Sequence, residues 1–494
     1  MKKEKLGVAE VLPVSVGKEE FKEKLWDETV KCAKQLRHSS LNDDERKKLE
    51  FFVLKNAEVL EKGLFNEKHF STSLSILNKF AAIPSPEHEQ ENIFEASLQI
   101  LAKNLAMFEE KIEPRGSSDR NKCILEAGFY LASYGGAKQR EIGVSFLTRH
   151  IDDVEAIMES WNGFRFIPFF EAIIRNDISL QESDKVLTAL KKYFENRPKD
   201  YLTLVYCLNS QESGLRIFGE SVIQERALPY GVDGLKFLQA WRVSTDTGDL
   251  TRILFNNFLI MSEMEEKRPG AAKFLNEKFG IFDFARYPKD MLLSQFDNYE
   301  NDALPYGVIF YPRNDFNGKF YSDHEVFNGL FRELEGKYLI RIAEGEGKLD
   351  IVKMLHRFDG KYGKKHKISF AVIGGHGTAE SIQFGGKDKN HKLEISDLQD
   401  KRSKKGQYFE DNPTLILISC ETGFEDGIGQ ELSKLLHAKV LAPKGLITTI
   451  KEIAVRVVGN VLDFSVESVE KGVMRSYRAG KQVPESGSLP EMTP

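Results

Sequence analysis

Up to about residue 290, apolar side chains return every three or four positions, the spacing of a helix with one buried face. Phe21, Leu25, Thr29, Cys32 and Leu36 mark the first such face. Asn42, Asp43 and Asp44 precede the next run, Leu49, Phe52, Val53 and Leu60. Amide and acidic side chains suit a helix start, where the first N–H groups lack partners. Pro84-Ser85-Pro86 breaks the chain, and Ile93, Ala96, Ile100, Leu101, Leu105 and Phe108 define a longer helix. After the loop Pro114-Arg115-Gly116-Ser117-Ser118, helices are predicted over 120–134, 138–160, 165–176, 181–195 and 200–209, and through most of 230–280.

The pattern changes near Tyr287-Pro288. Val308-Ile309-Phe310-Tyr311 reads as a strand, followed by a turn at Asn314-Asp315-Phe316-Asn317-Gly318. That turn has calcium-loop residue types but not the further carboxylates of an EF-hand. Ser322 and Glu325 have capping-box spacing ahead of Val326, Phe327, Leu330 and Leu334. A strand is predicted over 338–342, then a helix carrying Leu349, Val352 and Leu355. Ile368–Ile373 and Thr414–Ile418 are almost wholly apolar, as strands covered on both faces are. A helix over 428–436 and a strand over 440–443 complete a strand–helix–strand unit.

Composition narrows the class. Hydrophobic residues make up 41% of the 494-residue chain, charged residues 29%, and net charge is −5. Such a chain holds several domains with sizeable cores. The interspersed charges give no reason to expect nucleic acid or an anionic membrane as partner. The four cysteines, Cys32, Cys123, Cys207 and Cys420, lie far apart with no CxxC pair. A disulfide framework or a zinc ribbon is not expected. The N-terminus lacks a signal-peptide core, and no apolar run reaches membrane-spanning length. A cytoplasmic location is expected, with no cofactor and no metal.

Three segments follow. Residues 1–290 form an all-α region, either a solenoid of the HEAT or armadillo kind or an irregular bundle, with a regulatory or partner-binding role. Residues 303–480 form a three-layer α/β domain with a mostly parallel sheet. Residues 481–494, rich in Ser, Gly and Pro, are expected to be a flexible tail.

Two sequences end directly after buried strands. One runs to Gly374-Gly375-His376-Gly377, the other to Ser419-Cys420-Glu421-Thr422-Gly423. Ligands of open parallel sheets bind beyond the carboxyl ends of the strands, so adjacent strands would bring His376 and Cys420 to one crevice. An imidazole can take the proton of a thiol or stabilise its thiolate, and later protonate a leaving amine. The N–H groups of Gly377 and Cys420 are candidate oxyanion donors. Alone, a histidine between glycines is an ordinary loop residue, and a strand-end cysteine is a small buried hydrophobe. GGHG lacks the Lys-Ser/Thr of a P-loop. His376, His391 and Cys420 match no strong metal spacing.

The order His-Gly after one strand and Cys after the next, 44 residues apart, resembles the clan CD cysteine peptidases: caspases, gingipains, clostripain, self-processing toxin proteases and CHAT domains. Ile382–Gly386 and Leu393–Ser396 look like the small hairpin and following segment seen after the family histidine. The CETG run, with the helix and VLAP that follow, looks most like CHAT and bacterial members. The resemblance covers about 303–450, some 30% of the chain. It implies His376 as general base or acid, Cys420 as nucleophile, Gly377 as oxyanion donor, and a protein or peptide substrate. Ser419 stands where caspases usually have Ala, and Glu421 where they have Arg, so aspartate specificity is not implied. Glu421, Glu425 and Asp426 could instead favour a basic residue before the scissile bond, or Asp426 could cap the next helix. A non-catalytic scaffold with a degenerate α/β domain is the competing reading.

Overall fold

The computed structural model describes residues 23–36, 43–81, 91–112, 119–151, 153–154, 170, 180–241, 247–313, 324–385, 389–399, 405–446, 450–458, 461–468 and 473–483. The expected turn at 314–318, Ser322 of the expected capping box, and the tail beyond 483 lie outside the described residues, as does most of 155–179.

The chain divides into two compact units, one holding residues to 203 together with 210–215, the other holding 204–209 and everything from 216 onward. This division falls well before residue 290. The helical stretch 1–290 therefore contributes to both units. Periodicity reports that a helix has an apolar face, not which partner that face meets.

The first unit contains α1 (Glu23–Gln35), α2 (Asp43–Lys55), α3 (Ala57–Leu64), α4 (Phe70–Ala81), α5 (Glu91–Glu109), α6 (Asp119–Tyr134), α7 (Ala137–Arg149) and α8 (Leu180–Asn196). α4 touches α5 and α6, and α5 touches α6 and α7, so alternate helices stack in two rows. Bonds between helices recur at similar sequence offsets. Glu23 pairs with Lys68, Glu67 with Lys111, and Glu109 with Arg149, 45, 44 and 40 residues apart. Less exposed bonds have similar offsets: Trp26 donates to Ser73 Oγ, 3.0 Å, in a buried bond, and Asn78 to the Cys123 carbonyl, 2.7 Å, in a part-buried one. Exposed ion pairs add little stability. The burial of Leu74, Leu101, Ile124 and Leu131 holds these rows together, each contributing about 1.5–3 kcal/mol before entropy.

After α9 (Tyr201–Asn209), the second unit carries α10 (Ser213–Ala227) from residue 216 onward, α11 (Gly234–Trp241), α12 (Thr247–Lys267), α13 (Ala271–Phe279) and α14 (Lys289–Asp297) ahead of the sheet. The strands are β1 (Tyr306–Pro312), β2 (Leu339–Gly345), β3 (Ile368–Gly374), β4 (His376–Thr378), β5 (Ser381–Gln383), β6 (Lys392–Glu394), β7 (Phe409–Ile418), β8 (Lys439–Lys444), β9 (Ile450–Val458), β10 (Val461–Ser468), β11 (Val473–Arg478) and β12 (Lys481–Val483). Interspersed among them are α15 (Asn328–Leu334), α16 (Lys348–Tyr362), α17 (Ile395–Gln399) and α18 (Ile428–Leu436). The main sheet runs β12-β11-β8-β7-β3-β1-β2. β2, β1, β3, β7 and β8 are parallel, while β11 and β12 are antiparallel additions.

β1, β2 and β3 are buried at every residue, as their apolar runs require. Helices α16 and α18 cover one face: Tyr362 lies 5.1 Å from Tyr306, and Gly429 fits against Ala442 and Leu417. The other face is not helical throughout. The β9–β10 ribbon lies there, with the Phe464 ring tilted against Phe370 at 5.2 Å, beside α15. Ile453 and Val455, two apart, and Ile450 across a register shift bury one side of this half-buried ribbon. The flexible segment expected from 481 begins instead with β12, which pairs with β11 around the left-handed residues Ala479 and Gly480.

The β2 edge is closed from outside the sheet. Gln295 of α14 donates to the Ile342 carbonyl, 3.0 Å, and accepts from its N–H, 2.7 Å, as a neighbouring strand would. Arg341 donates to the Asn298 carbonyl, 2.5 Å. Glu344 is fully buried, accepting from Phe282 N–H at 2.7 Å, Arg286 at 3.2 Å and the Tyr287 hydroxyl at 2.9 Å. The helices before the sheet thus supply partners that its edge strand needs.

Candidate active site

Strands β3 and β7 are neighbours, paired in register up to Gly374 and Ile418. One further bond, Gly375 N–H to the Ile418 carbonyl at 3.3 Å, extends the pairing. His376 and Cys420 follow two residues beyond the last paired positions, both half-buried at the carboxyl edge of the sheet.

Glycines set how closely the two segments approach. A Cβ on Gly377 would lie 2.2 Å from the Cys420 carbonyl oxygen and 2.8 Å from its nitrogen. The backbone beside the histidine is therefore in direct contact with the backbone of the cysteine. Gly375 is hemmed in likewise, its Cβ position 2.7 Å from the Gln383 carbonyl oxygen. β4 and β5 form a hairpin across a two-residue turn, with Thr378 opposite Ser381 and Gly377 opposite Ile382. Opposed residues of an antiparallel pair alternate between bonded and non-bonded positions. The pair closing the two-residue turn is bonded, so Gly377 is not, and its N–H points away from β5. An oxyanion donor needs that orientation.

The cysteine turn is held from several sides. Thr422 Oγ1 donates to the Ser419 carbonyl at 2.7 Å. Glu421 N–H reaches the Gly445 carbonyl and Gly423 N–H the Pro443 carbonyl, both at 2.8 Å, tying the turn to the end of β8. The Tyr477 hydroxyl donates to the Gly423 carbonyl, 2.8 Å. Ile428 N–H, at the start of α18, donates to the Ala379 carbonyl in the β4–β5 turn, 2.7 Å. The two halves of the site are thereby linked. No sequence pattern assigns a role to Ala379, nor to Gly423 beyond its place in the CETG run, because their bonds join segments distant in the chain.

Glu421 is half-buried and takes the left-handed conformation, φ 60°, while Glu425 and Asp426 are exposed. Asp426 does not cap the helix. It is also left-handed, φ 58°, its N–H held by Gln430 Oε1 at 2.7 Å, and Gly427 occupies the cap. His391 is engaged elsewhere, its Nδ1 bonded to the Glu346 carbonyl. Among the described residues, no group of three or more His, Cys, Asp or Glu side chains is arranged to hold a metal. No described helix is long and apolar enough to cross a membrane.

The remaining thiols sit in different surroundings. Burial pushes Cys123 up to about 11, with Glu126 and Asp119 adding to the shift. Burial also raises Cys32. Cys207 is fully buried.

A family model described as a domain of unknown function (DUF8616) matches residues 353–460, from within α16 to just past β9. The match contains both His376 and Cys420. No curated protein and no solved structure matches the chain.

Proposed function

We propose that this protein is a cysteine peptidase in which His376 and Cys420 act as a dyad. The observation carrying this reading is the backbone contact between Gly377 and Cys420 at the ends of adjacent parallel strands. The Cys420 thiolate attacks the scissile carbonyl, and His376, having taken the thiol proton, gives it to the leaving amine. A thioester acyl-enzyme forms. Water, deprotonated by the same imidazole, then cleaves it and regenerates the thiol. The N–H groups of Gly377 and Cys420 stabilise the tetrahedral oxyanion, each worth about 2.7–4 kcal/mol in acyl transfer. Glu421, Glu425 and Asp426 border the crevice and favour a basic residue before the scissile bond.

The α/β unit is read as caspase-like on its strand order and the His–Cys spacing. The first unit is read as solenoid-like on its two helix rows and recurring offsets, with a regulatory or substrate-delivering role. The test is a cleavage profile against a peptide library with wild type and Cys420→Ala. Cleavage that disappears in the variant supports the reading. Cleavage that persists in full rules out Cys420 as nucleophile. Absence of any cleavage by wild type favours a scaffold built on the helical unit.

A further inference from the structure

His376 is flanked by Gly374, Gly375 and Gly377, so side chains of its own segment do little to fix its backbone. Each glycine is braced from outside instead. Cys420 lies against Gly377, and Ile382 and Gln383 lie against Gly375, all within the site itself. The brace on Gly374 comes from β1: the Tyr311 ring occupies the space of the missing Cβ, with ring carbons 2.8–3.0 Å from that position. Tyr311 is buried and in turn confined. Phe327 packs edge-on at 5.6 Å, Tyr287 at 6.4 Å, and the Arg286 guanidinium sits 5.2 Å over the ring. Arg286 is anchored by the Pro312 carbonyl at 2.9 Å, Glu344 at 3.2 Å and Asp283 at 3.3 Å.

We propose that Tyr311 is a positioning residue for His376, acting through Gly374 and held in place by Arg286. The inference rests on the dyad reading above. A ring pressed on Gly374 fixes the strand end two residues before the imidazole, and the Arg286 cluster keeps the ring from withdrawing. Without the ring, β3 gains room at Gly374 and the imidazole loses its fixed approach to the Cys420 thiol. A misplacement of about 1 Å costs on the order of 100-fold in rate.

The experiment uses the full chain and measures the pH profile of iodoacetamide alkylation at Cys420, together with kcat and KM on a cleaved peptide. The variants are Tyr311→Leu, Tyr311→Phe, Gly374→Ala and His376→Ala. Tyr311→Leu is expected to lower kcat by roughly 10–100-fold with KM within about 2-fold, and to move the alkylation profile towards that of His376→Ala. Tyr311→Phe keeps the ring and retains the wild-type profile. Gly374→Ala, whose Cβ would meet the ring at 2.8 Å, gives the same direction of change as Tyr311→Leu and carries the test alone if that variant does not fold. A wild-type profile in folded Tyr311→Leu or in Gly374→Ala, while His376→Ala alters it, overturns the proposal and leaves the dyad standing. A profile unchanged by His376→Ala overturns the dyad itself.

Discussion

Gly377→Ala tests the close approach on which the site depends. The new Cβ would lie 2.2 Å from the Cys420 oxygen and 2.8 Å from both the Cys420 nitrogen and the Ser419 carbonyl carbon. Ordinary contact begins near 3.4 Å, so the methyl group is roughly an ångström too close. The obstructing atoms are all backbone and cannot rotate aside. Gly377 does not take a left-handed conformation, so the cost is steric rather than conformational. The His376 hairpin and the Cys420 turn must therefore separate. Overpacking of this kind destabilises by about 1–3 kcal/mol. Separation by about 1 Å slows dyad chemistry on the order of 100-fold. Peptide hydrolysis and Cys420 alkylation report the rate, and denaturant midpoints report the stability. Gly360→Ala is the control: it lies in the last turn of α16 with nothing among the described residues within 4 Å of its Cβ, and should leave stability unchanged or raise it by up to about 0.5 kcal/mol. Wild-type rates of hydrolysis and alkylation in Gly377→Ala would mean that the close approach of the two backbones does not govern the dyad.

Two further outcomes follow from buried polar groups. Arg286→Met leaves Glu344 and Asp283 without their cation and should destabilise by about 3–5 kcal/mol at neutral pH, read by chemical denaturation. Burial already raises both carboxyls above their ordinary range, and Arg286 opposes that rise. A folded-state affinity for protons above the unfolded one gives stability that is complete below the ordinary carboxylate range and is lost as pH rises through the raised value. The deficit of Arg286→Met should therefore shrink steadily as pH falls towards about 4, and a deficit constant from neutral pH to that point would count against this account. Ser419 is 2% exposed and its Oγ has no hydrogen-bond partner among the described residues, so Ser419→Ala should leave stability unchanged or raise it by up to about 1 kcal/mol. A loss above 1 kcal/mol in thermal or denaturant unfolding would mean that the hydroxyl is bonded in solution.

The strands that carry the site were legible because they are simple. β3 and the last five residues of β7, 414–418, are almost wholly apolar, so composition alone identifies them, whereas the first half of β7 carries the exposed Glu410, Asp411 and Asn412 and gives no such signal. The relation between His376 and Cys420 needed only that these strands be neighbours. β2 was harder to read. Its sequence, Leu-Ile-Arg-Ile-Ala-Glu-Gly, carries two charges, yet every residue is buried. Arg286, Gln295 and Asn298 supply the partners from 43–58 residues earlier, and no local pattern announces them. The same distance hid the role of the helices before residue 300. The β9–β10 ribbon did leave a signal, alternating apolar positions around Gly459-Asn460, a hairpin dipeptide. Tyr311 read as one more strand aromatic, because the space it fills belongs to a glycine on another strand.

Site-resolved alkylation at near-neutral pH shows whether His376 activates Cys420. Native protein and His376→Ala are treated briefly with iodoacetamide, and the label on each cysteine is quantified by mass spectrometry. Cys420 is expected to react well ahead of Cys32, Cys123 and Cys207, and His376→Ala to remove most of this advantage. Equal labelling of the accessible thiols, or a Cys420 rate indifferent to His376, would contradict the dyad.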